Sequence, residues 1–143
     1  MELSTNQINQ EPVERSIQPY RLSNLKILAV DDEVDSLDIL TAILEQEGAE
    51  LVPVFSAAAA IETFNQTTFD LVISDIGMPE TDGYTLIKQI RALPQGQNIP
   101  AIALTAYANE IEQQRSFKAG FQIHLAKPII IPELIAAIKE LIS

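Results

Sequence analysis

Five polar residues, spread along the chain, each follow a short run of apolar residues: Asp31, Asp32, Asp75, Thr105 and Lys127. Three carboxylates brought within a few ångströms of one another would repel, and each would raise the pKa of the others unless a cation lay among them. A hard divalent ion resolves this repulsion. An all-oxygen ligand set suits Mg²⁺ better than Zn²⁺, which takes His and Cys. The chain has no cysteine and one histidine, so it cannot build a zinc site.

Carboxylates beside Mg²⁺, together with one lysine and one threonine hydroxyl, favour transfer of a phosphoryl group onto a carboxylate. Asp75 is the expected nucleophile. Lys127 would offset the negative charge of the phosphoryl group, and the Thr105 hydroxyl would donate to one of its oxygens. Such catalysis depends on positioning and charge rather than on acid–base chemistry.

The elements that position these residues are predicted by five apolar runs that alternate with helical patterns. The strand candidates are LKILAV, ELVPVF, DLVIS, IPAIAL and QIHLA. Strands that are apolar throughout are buried on both faces, as parallel strands covered by helices are. The sequence therefore predicts an α/β fold, a doubly wound (βα)₅ domain with a parallel sheet. Ligands of such sheets bind outside the carboxyl ends of the strands, where the five polar residues would meet.

Helices are predicted between the strands from apolar residues at helical spacing, over 34–44, 86–93 and 134–141. Ser56 is a good N-cap for the segment AAAAIETFNQ, whose residues favour a helix. Residues 109–119 also favour a helix but have almost no apolar stripe. This fourth helix is expected to be the most exposed.

Length and charge limit the classes of function. A chain of 143 residues fits one domain, and its polar, aperiodic residues 1–22 predict a tail or linker before a domain over 23–143. A net charge of −11 opposes binding to nucleic acid or anionic lipid. No apolar run has membrane-spanning length and the start has no signal-peptide core, so a cytoplasmic location is expected.

The motifs AVDDE, SDIGMPETDG, ALTA and LAKP, in this order, resemble the receiver domains of bacterial response regulators over about residues 24–143. The resemblance implies the flavodoxin-like fold with strand order 2-1-3-4-5. It also implies phosphorylation of Asp75 by a histidine kinase or a histidine phosphotransfer protein, followed by switching of a surface that binds a downstream partner. The domain would then act in a phosphorelay, as a signalling domain that assists its own Mg²⁺-dependent phosphorylation and dephosphorylation rather than as an enzyme with other substrates.

The same resemblance assigns individual roles. Asp32 would be the main acidic Mg²⁺ ligand, with Asp31 acting partly through water, Asp75 as a further ligand and Gly77 contributing its carbonyl. Thr105 would be the switch hydroxyl and Lys127 the phosphate-binding lysine, with a cis bond between Lys127 and Pro128. The stretch GFQIHLAKP is similar to receivers of hybrid histidine kinases. A stand-alone regulator and a receiver cut from a longer kinase both fit, as do a monomer and a homodimer.

The chain departs from the family pattern at His124, three residues before Lys127, where the family has a Tyr or Phe that turns inward on activation. The role of an aromatic switch is open at this position: His124 could add sensitivity to pH, or it could be an ordinary surface histidine. Tyr107, two residues after Thr105, is expected to slow hydrolysis of the phosphoryl group. Residues 129–131 are three isoleucines, which could pack beneath the fifth helix or form part of a partner or dimer surface.

Each residue taken singly also has a purely structural explanation. Asp31 and Asp32 could cap the first helix, Asp75 could belong to a turn, Thr105 could bond local backbone and Lys127 could be a solvated charge. Their joint order at strand ends favours the functional interpretation.

Three rival functions share some of these features. A small Mg²⁺-dependent phosphatase shares the ingredients but places its nucleophile first in a DxDx pattern after the first strand, where this chain has Asp31-Asp32-Glu33. A receiver that has lost phosphorylation would be expected to lack some of the polar residues that are present here. A dinucleotide-binding domain is excluded because no G-x-G-x-x-G follows the first strand.

Overall fold

The computed structural model describes residues 22–142, which form an alternating series of strands and helices. The strands are β1 (Lys26–Val30), β2 (Glu50–Val54), β3 (Leu71–Asp75), β4 (Ala101–Thr105) and β5 (Ile123–Ala126). The helices are α1 (Val34–Gln46), α2 (Ala57–Gln66), α3 (Gly83–Arg91), α4 (Glu110–Ala119) and α5 (Ile131–Ile142). Among these residues, none of the helices combines the length and apolar character that crossing a bilayer requires.

The strands form one parallel sheet in the order β2-β1-β3-β4-β5. This confirms the predicted (βα)₅ fold and its strand order. Every residue of β3 and β4 is buried, as expected for central strands covered on both faces. The edge strands β2 and β5 are partly exposed. The order reverses between β1 and β3, so the carboxyl ends of these two strands lie beside each other at the crevice where such folds bind ligands.

Two apolar cores lie on opposite faces of the sheet. One packs α1 and α5 against the sheet through residues such as Leu40 and Leu134, and the other packs α2 and α3 through residues such as Phe64 and Ile87. Leu22 belongs to the first core, with 1% of its surface exposed. Leu22, at the end of the predicted tail of residues 1–22, therefore packs with the core of the domain. The rest of that prediction lies outside the described residues.

Helix starts follow the capping residues in the sequence. The side chains of Ser56, Asp82 and Asn109 each accept a hydrogen bond from the backbone N–H three residues later, at the first turns of α2, α3 and α4. The N-cap predicted at Ser56 is thereby confirmed. Leu93, which the helical spacing placed in α3, lies beyond its end at Arg91. Pro94 explains this, because a residue before proline is disfavoured in the helical conformation and Leu93 is extended.

The helix α4 is held by few apolar contacts, as its composition predicts. Only Ser116 and Ala119 are buried, whereas Ile111 and Phe117 on the same helix are exposed. The three isoleucines at 129–131 divide between the two interpretations. Ile129 packs against the first core, whereas Ile130 and Ile131 are both about half exposed. The core contacts of α5 itself come from residues further along, such as Leu134 and Ile138.

Candidate functional site

The carboxylates expected to gather at the sheet edge do lie together. Asp31 directly follows β1 and Asp75 ends the neighbouring strand β3, so the pairing of these strands brings the two side chains to the same place. One oxygen from each of Asp31, Asp32 and Asp75 lies within 4.8 Å of the others. Asp31 and Asp75 are buried and Asp32 is exposed. The site therefore has a closed inner side and one carboxylate open to solvent.

Lys127 directly follows β5, the strand at the edge of the sheet, and its side chain reaches this carboxylate cluster. Its Nζ lies 2.9 Å from Asp31 Oδ2 and 3.3 Å from Asp75 Oδ1. It also lies 3.6 Å from Oε1 of Glu33, a contact that the sequence analysis did not anticipate. The Lys127 N–H donates to the Thr105 carbonyl at 2.8 Å, which extends the pairing of β4 and β5 to the site. The bond between Lys127 and Pro128 is cis, as predicted.

The electrostatics of Asp75 reflect crowded negative charge. Burial raises the pKa of Asp75 above its usual value, and the Asp31 carboxylate raises it further. Lys127 and the Gly77 backbone act in the opposite direction but do not cancel the rise. Burial alone would lower the pKa of Lys127, but its bond to Asp31 and the charge of Asp75 raise it above the usual value. The lysine thus remains protonated beside carboxylates that it neutralises only in part.

The donor set fits Mg²⁺. It consists of carboxylate oxygens, with no His or Cys among the described residues close enough to join it. One lysine cannot balance three carboxylates, so a divalent cation would relieve the repulsion that raises the pKa of Asp75. Gly77 lies beside Asp75, and a Cβ added to Gly77 would meet no atom within 4 Å. The backbone there is open to a small ligand, and the role of the Gly77 carbonyl stays a prediction.

The first helix does not depend on the aspartates for its cap. Glu33 is the N-cap residue of α1, and its side chain does not cap the helix. Asp31 Oδ1 instead accepts from the Glu33 N–H at 3.0 Å, which fixes the carboxylate while its other oxygen bonds Lys127. The capping explanation for Asp31 and Asp32 is therefore wrong.

Thr105 ends β4, one strand beyond Asp75, and is buried. Its Oγ1 accepts a hydrogen bond from the Tyr107 N–H at 3.0 Å. The Tyr107 side chain is 72% exposed, so it points away from the core. The hydroxyl is thus engaged locally, as the structural explanation had it, while its strand places it at the edge where the carboxylates lie. A role in phosphate binding would require this local bond to change.

His124 lies on β5 rather than at the free surface. Its Nδ1 lies 2.7 Å from the Ser116 Oγ of α4, and Ser116 is fully buried. Beside this pair, the Tyr84 hydroxyl bonds the Glu112 carboxylate. The ring is therefore partly buried and bonded to α4 rather than free in solvent. No sequence pattern pointed to Tyr84, which lies on α3, and only the polar composition of α4 pointed to Ser116 and Glu112.

Comparison with known proteins agrees with this geometry. The profile of the response regulator receiver domain matches residues 27–139. The uncharacterised 14.6 kDa protein of the sodA1 3′ region of Leptolyngbya boryana is 41% identical over 119 residues, covering 83% of this chain and 91% of that protein. The sensor protein GacS of Pseudomonas syringae pv. syringae is 37% identical over 107 residues, covering 73% of this chain but only 12% of GacS.

A solved structure has the same architecture and carries a metal. The receiver domain of the sensor histidine kinase PA1611 from Pseudomonas aeruginosa, with a magnesium ion coordinated in its active site cleft, superposes with a TM-score of 0.78. It is 29% identical to this chain, and the match covers 84% of this chain and 98% of that domain. With its strand order, acidic cluster and lysine, this chain belongs to the response regulator receiver domain family, and the receivers of hybrid sensor kinases are among its homologues.

Proposed function

We propose that this receiver accepts a phosphoryl group on Asp75 from a histidine kinase or a histidine phosphotransfer protein, with Mg²⁺ as its cofactor, in cytoplasmic phosphorelay signalling. The observation that carries the proposal is the position of Lys127, whose Nζ lies within 3.3 Å of oxygens from both Asp31 and Asp75. A buried carboxylate with a raised pKa, paired with a lysine in a crevice, is a common mark of a reactive site.

In the proposed reaction an Asp75 oxygen attacks the phosphorus of a phosphohistidine. A phosphorus–oxygen bond forms, the phosphorus–nitrogen bond breaks, and the leaving imidazole keeps the electron pair and takes up a proton from solvent. Bound Mg²⁺ would offset negative charge on the carboxylates and the phosphoryl oxygens. Asp31, Asp32 and the Gly77 carbonyl are the residues that would hold it together with Asp75.

Two further residues complete the proposed site. Lys127 would turn from Asp31 and Asp75 toward the phosphoryl oxygens, since its charge is already beside the nucleophile. Thr105 would exchange its bond with the Tyr107 N–H for one donated to a phosphoryl oxygen. Tyr107, two residues after Thr105, would slow the approach of water to the phosphoryl group.

The output would leave through the face formed by α4, β5 and α5. A groove of about 420 Å³ lies there, with Phe117, Leu125 and Ala136 among its apolar lining and Glu133 and Glu140 among its polar lining. Few apolar contacts hold α4 in place, which supports this face as the output surface, because elements of low local stability are the ones that move in switches. A downstream protein would bind this face more tightly in the phosphorylated state.

The direct test is phosphorylation by acetyl phosphate with Mg²⁺, followed by intact mass measurement. The wild-type chain is expected to gain one phosphoryl group, and Asp75→Asn is expected to gain none because the nucleophilic oxygen is lost. Asp38→Asn is the matched control, since Asp38 is an exposed residue of α1 outside the site. Equal phosphorylated fractions in wild type and Asp75→Asn would overturn the assignment.

A further inference from the structure

The helix α4 is joined to its neighbours β5 and α3 by polar contacts. His124 of β5 and Ser116 of α4 lie 2.7 Å apart at Nδ1 and Oγ. Next to them Glu112 of α4 bonds the Tyr84 hydroxyl of α3, and the Arg115 guanidinium lies 4.2 Å over the Tyr84 ring. These five residues are called the α4 clasp below.

The other nitrogen of the His124 ring is the unusual atom of the clasp. Nε2 is buried and has no hydrogen-bond partner among the described residues. The Tyr107 backbone is close enough to affect the ring, although not in hydrogen-bond geometry. A neutral ring fits this arrangement as the tautomer that donates from Nδ1 to the Ser116 hydroxyl oxygen and carries no proton on Nε2. Protonation would place an N–H at Nε2, where no described residue accepts it, together with a positive charge in a poorly solvated place, which is costly.

We propose that the α4 clasp responds to pH. While the His124 imidazole is neutral, the clasp holds α4 against β5; protonation of His124 releases α4 from β5 and opens the groove beside them. No phosphoryl group or metal is needed for this release. It would give the receiver a second input, acidification, that acts on the same helix as the proposed output surface.

The charged groups around the ring do not compensate for its protonation. On α4 the Glu112 carboxylate favours the charged ring, but this carboxylate is already bonded to the Tyr84 hydroxyl. On α5, Glu133 and Glu140 line the same groove, yet they are exposed and therefore screened by water. Arg115 of α4 is held over the Tyr84 ring and brings no negative charge to the clasp. The net result is that burial lowers the pKa of His124 despite Glu112 and the Tyr107 backbone.

The sign of the pH effect follows from linkage. A histidine whose pKa is lower in the closed clasp than in the open one stabilises the closed form while it is neutral. This stability is fully present above the open-state pKa of about 6.5 and is lost progressively as pH falls below that value through the lower pKa of the closed clasp. Between pH 7.5 and pH 5.5 the open population can rise at most about tenfold, because one proton is taken up.

Hydrogen exchange of the α4 amides, expressed as protection factors, tests the proposal in the unphosphorylated full chain with no Mg²⁺ present. Wild-type protection at α4 is expected to fall several-fold from pH 7.5 to pH 5.5 while protection of β3 stays constant. In His124→Phe, which keeps a flat ring but cannot take up a proton, protection at α4 should not depend on pH. In that background Gln114→His adds an exposed imidazole to the same helix and should restore no pH dependence.

An NMR titration of the ring supplies the independent readout, since His124 is the chain's single histidine and its resonance needs no further assignment. The ring is expected to titrate below the ordinary value of about 6.5. Ser116→Ala is expected to raise the titration midpoint toward that value, because it removes a bond that holds the clasp closed. A midpoint at the ordinary value, or equal pH dependence of α4 protection in wild type and His124→Phe, would refute the clasp. Neither result bears on phosphorylation at Asp75, so the two proposals fail separately.

Discussion

The Asp75 carboxyl is held at an energetic cost in the folded protein without metal. Its pKa is raised by burial and by Asp31, so the fold favours the protonated form. An acid whose pKa is higher folded than unfolded destabilises the fold where it is ionised, and the penalty disappears as pH falls through the raised pKa toward the unfolded value of about 3.9. Lys127 offsets only part of this penalty because it is shared with Asp31.

The prediction at this scale concerns stability in chelator. Asp75→Asn should have a higher free energy of unfolding than wild type at pH 7, because it removes the charge while Lys127 keeps its bond to Asp31. The difference should shrink at pH 4.5. Urea denaturation at both pH values measures it, with the exposed Asp38→Asn as the control expected to change little. A less stable Asp75→Asn at pH 7 would mean that the pairing with Lys127 outweighs the repulsion.

At the scale of the elements, α3 must begin very close to the end of β3. A Cβ added at Gly83, the first residue of α3, would lie 2.5 Å from the Asp75 carbonyl oxygen and 2.8 Å from the Ile76 Cα. Both are backbone atoms that cannot turn aside. This contact ties the start of the helix to the proposed nucleophile, and it explains why the turn from Met78 to Gly83 ends in glycine.

The corresponding prediction compares two glycines that lie between the end of β3 and the first turn of α3. Gly83→Ala should lower the free energy of unfolding by about 1–3 kcal/mol, as overpacking does, and should slow phosphorylation by displacing Asp75. Gly77→Ala is the control, because its added Cβ meets no atom within 4 Å, and it should stay within about 0.5 kcal/mol of wild type. Chemical denaturation gives both values. Equal losses for the two variants would show that the tight approach at Gly83 yields easily.

At the scale of the whole molecule, the net charge of −11 makes cations a source of stability. Mg²⁺ bound to the folded state alone would add about 2.7 kcal/mol at a concentration one hundred times its dissociation constant. Asp32→Ala should lose most of this gain, because Asp32 is the solvent-facing carboxylate of the cluster. Thermal unfolding with Mg²⁺ against NaCl of equal ionic strength measures the gain. Asp35→Ala, an exposed change on α1, should retain it.

If Asp32→Ala and Asp35→Ala were stabilised equally by Mg²⁺, the ion would be acting on the general negative field of the protein. The proposed metal site would then be misplaced. The comparison with NaCl separates ordinary screening from binding, since screening depends on ionic strength and a bound ion depends on its ligands.

The sequence by itself determined the architecture and predicted which polar residues would gather at one edge of the sheet. Apolar runs and helical spacing report burial on a local scale, and capping residues such as Ser56 act within one turn, so elements and their starts can be predicted without knowing their neighbours. Because parallel strands all end at one edge of a sheet, the residues after them could be expected to meet there. Asp31, Asp75 and Lys127 do so.

The tertiary structure alone decided how distant side chains pair. The ion pairs of Lys127 with Asp31 and Glu33 depend on the directions of side chains that follow β1 and β5, which no local pattern contains. The burial of Leu22 depends on a core assembled from α1 and α5. The bond between His124 and Ser116 depends on how a helix with little apolar surface settles against an edge strand, where polar partners rather than periodicity select the position.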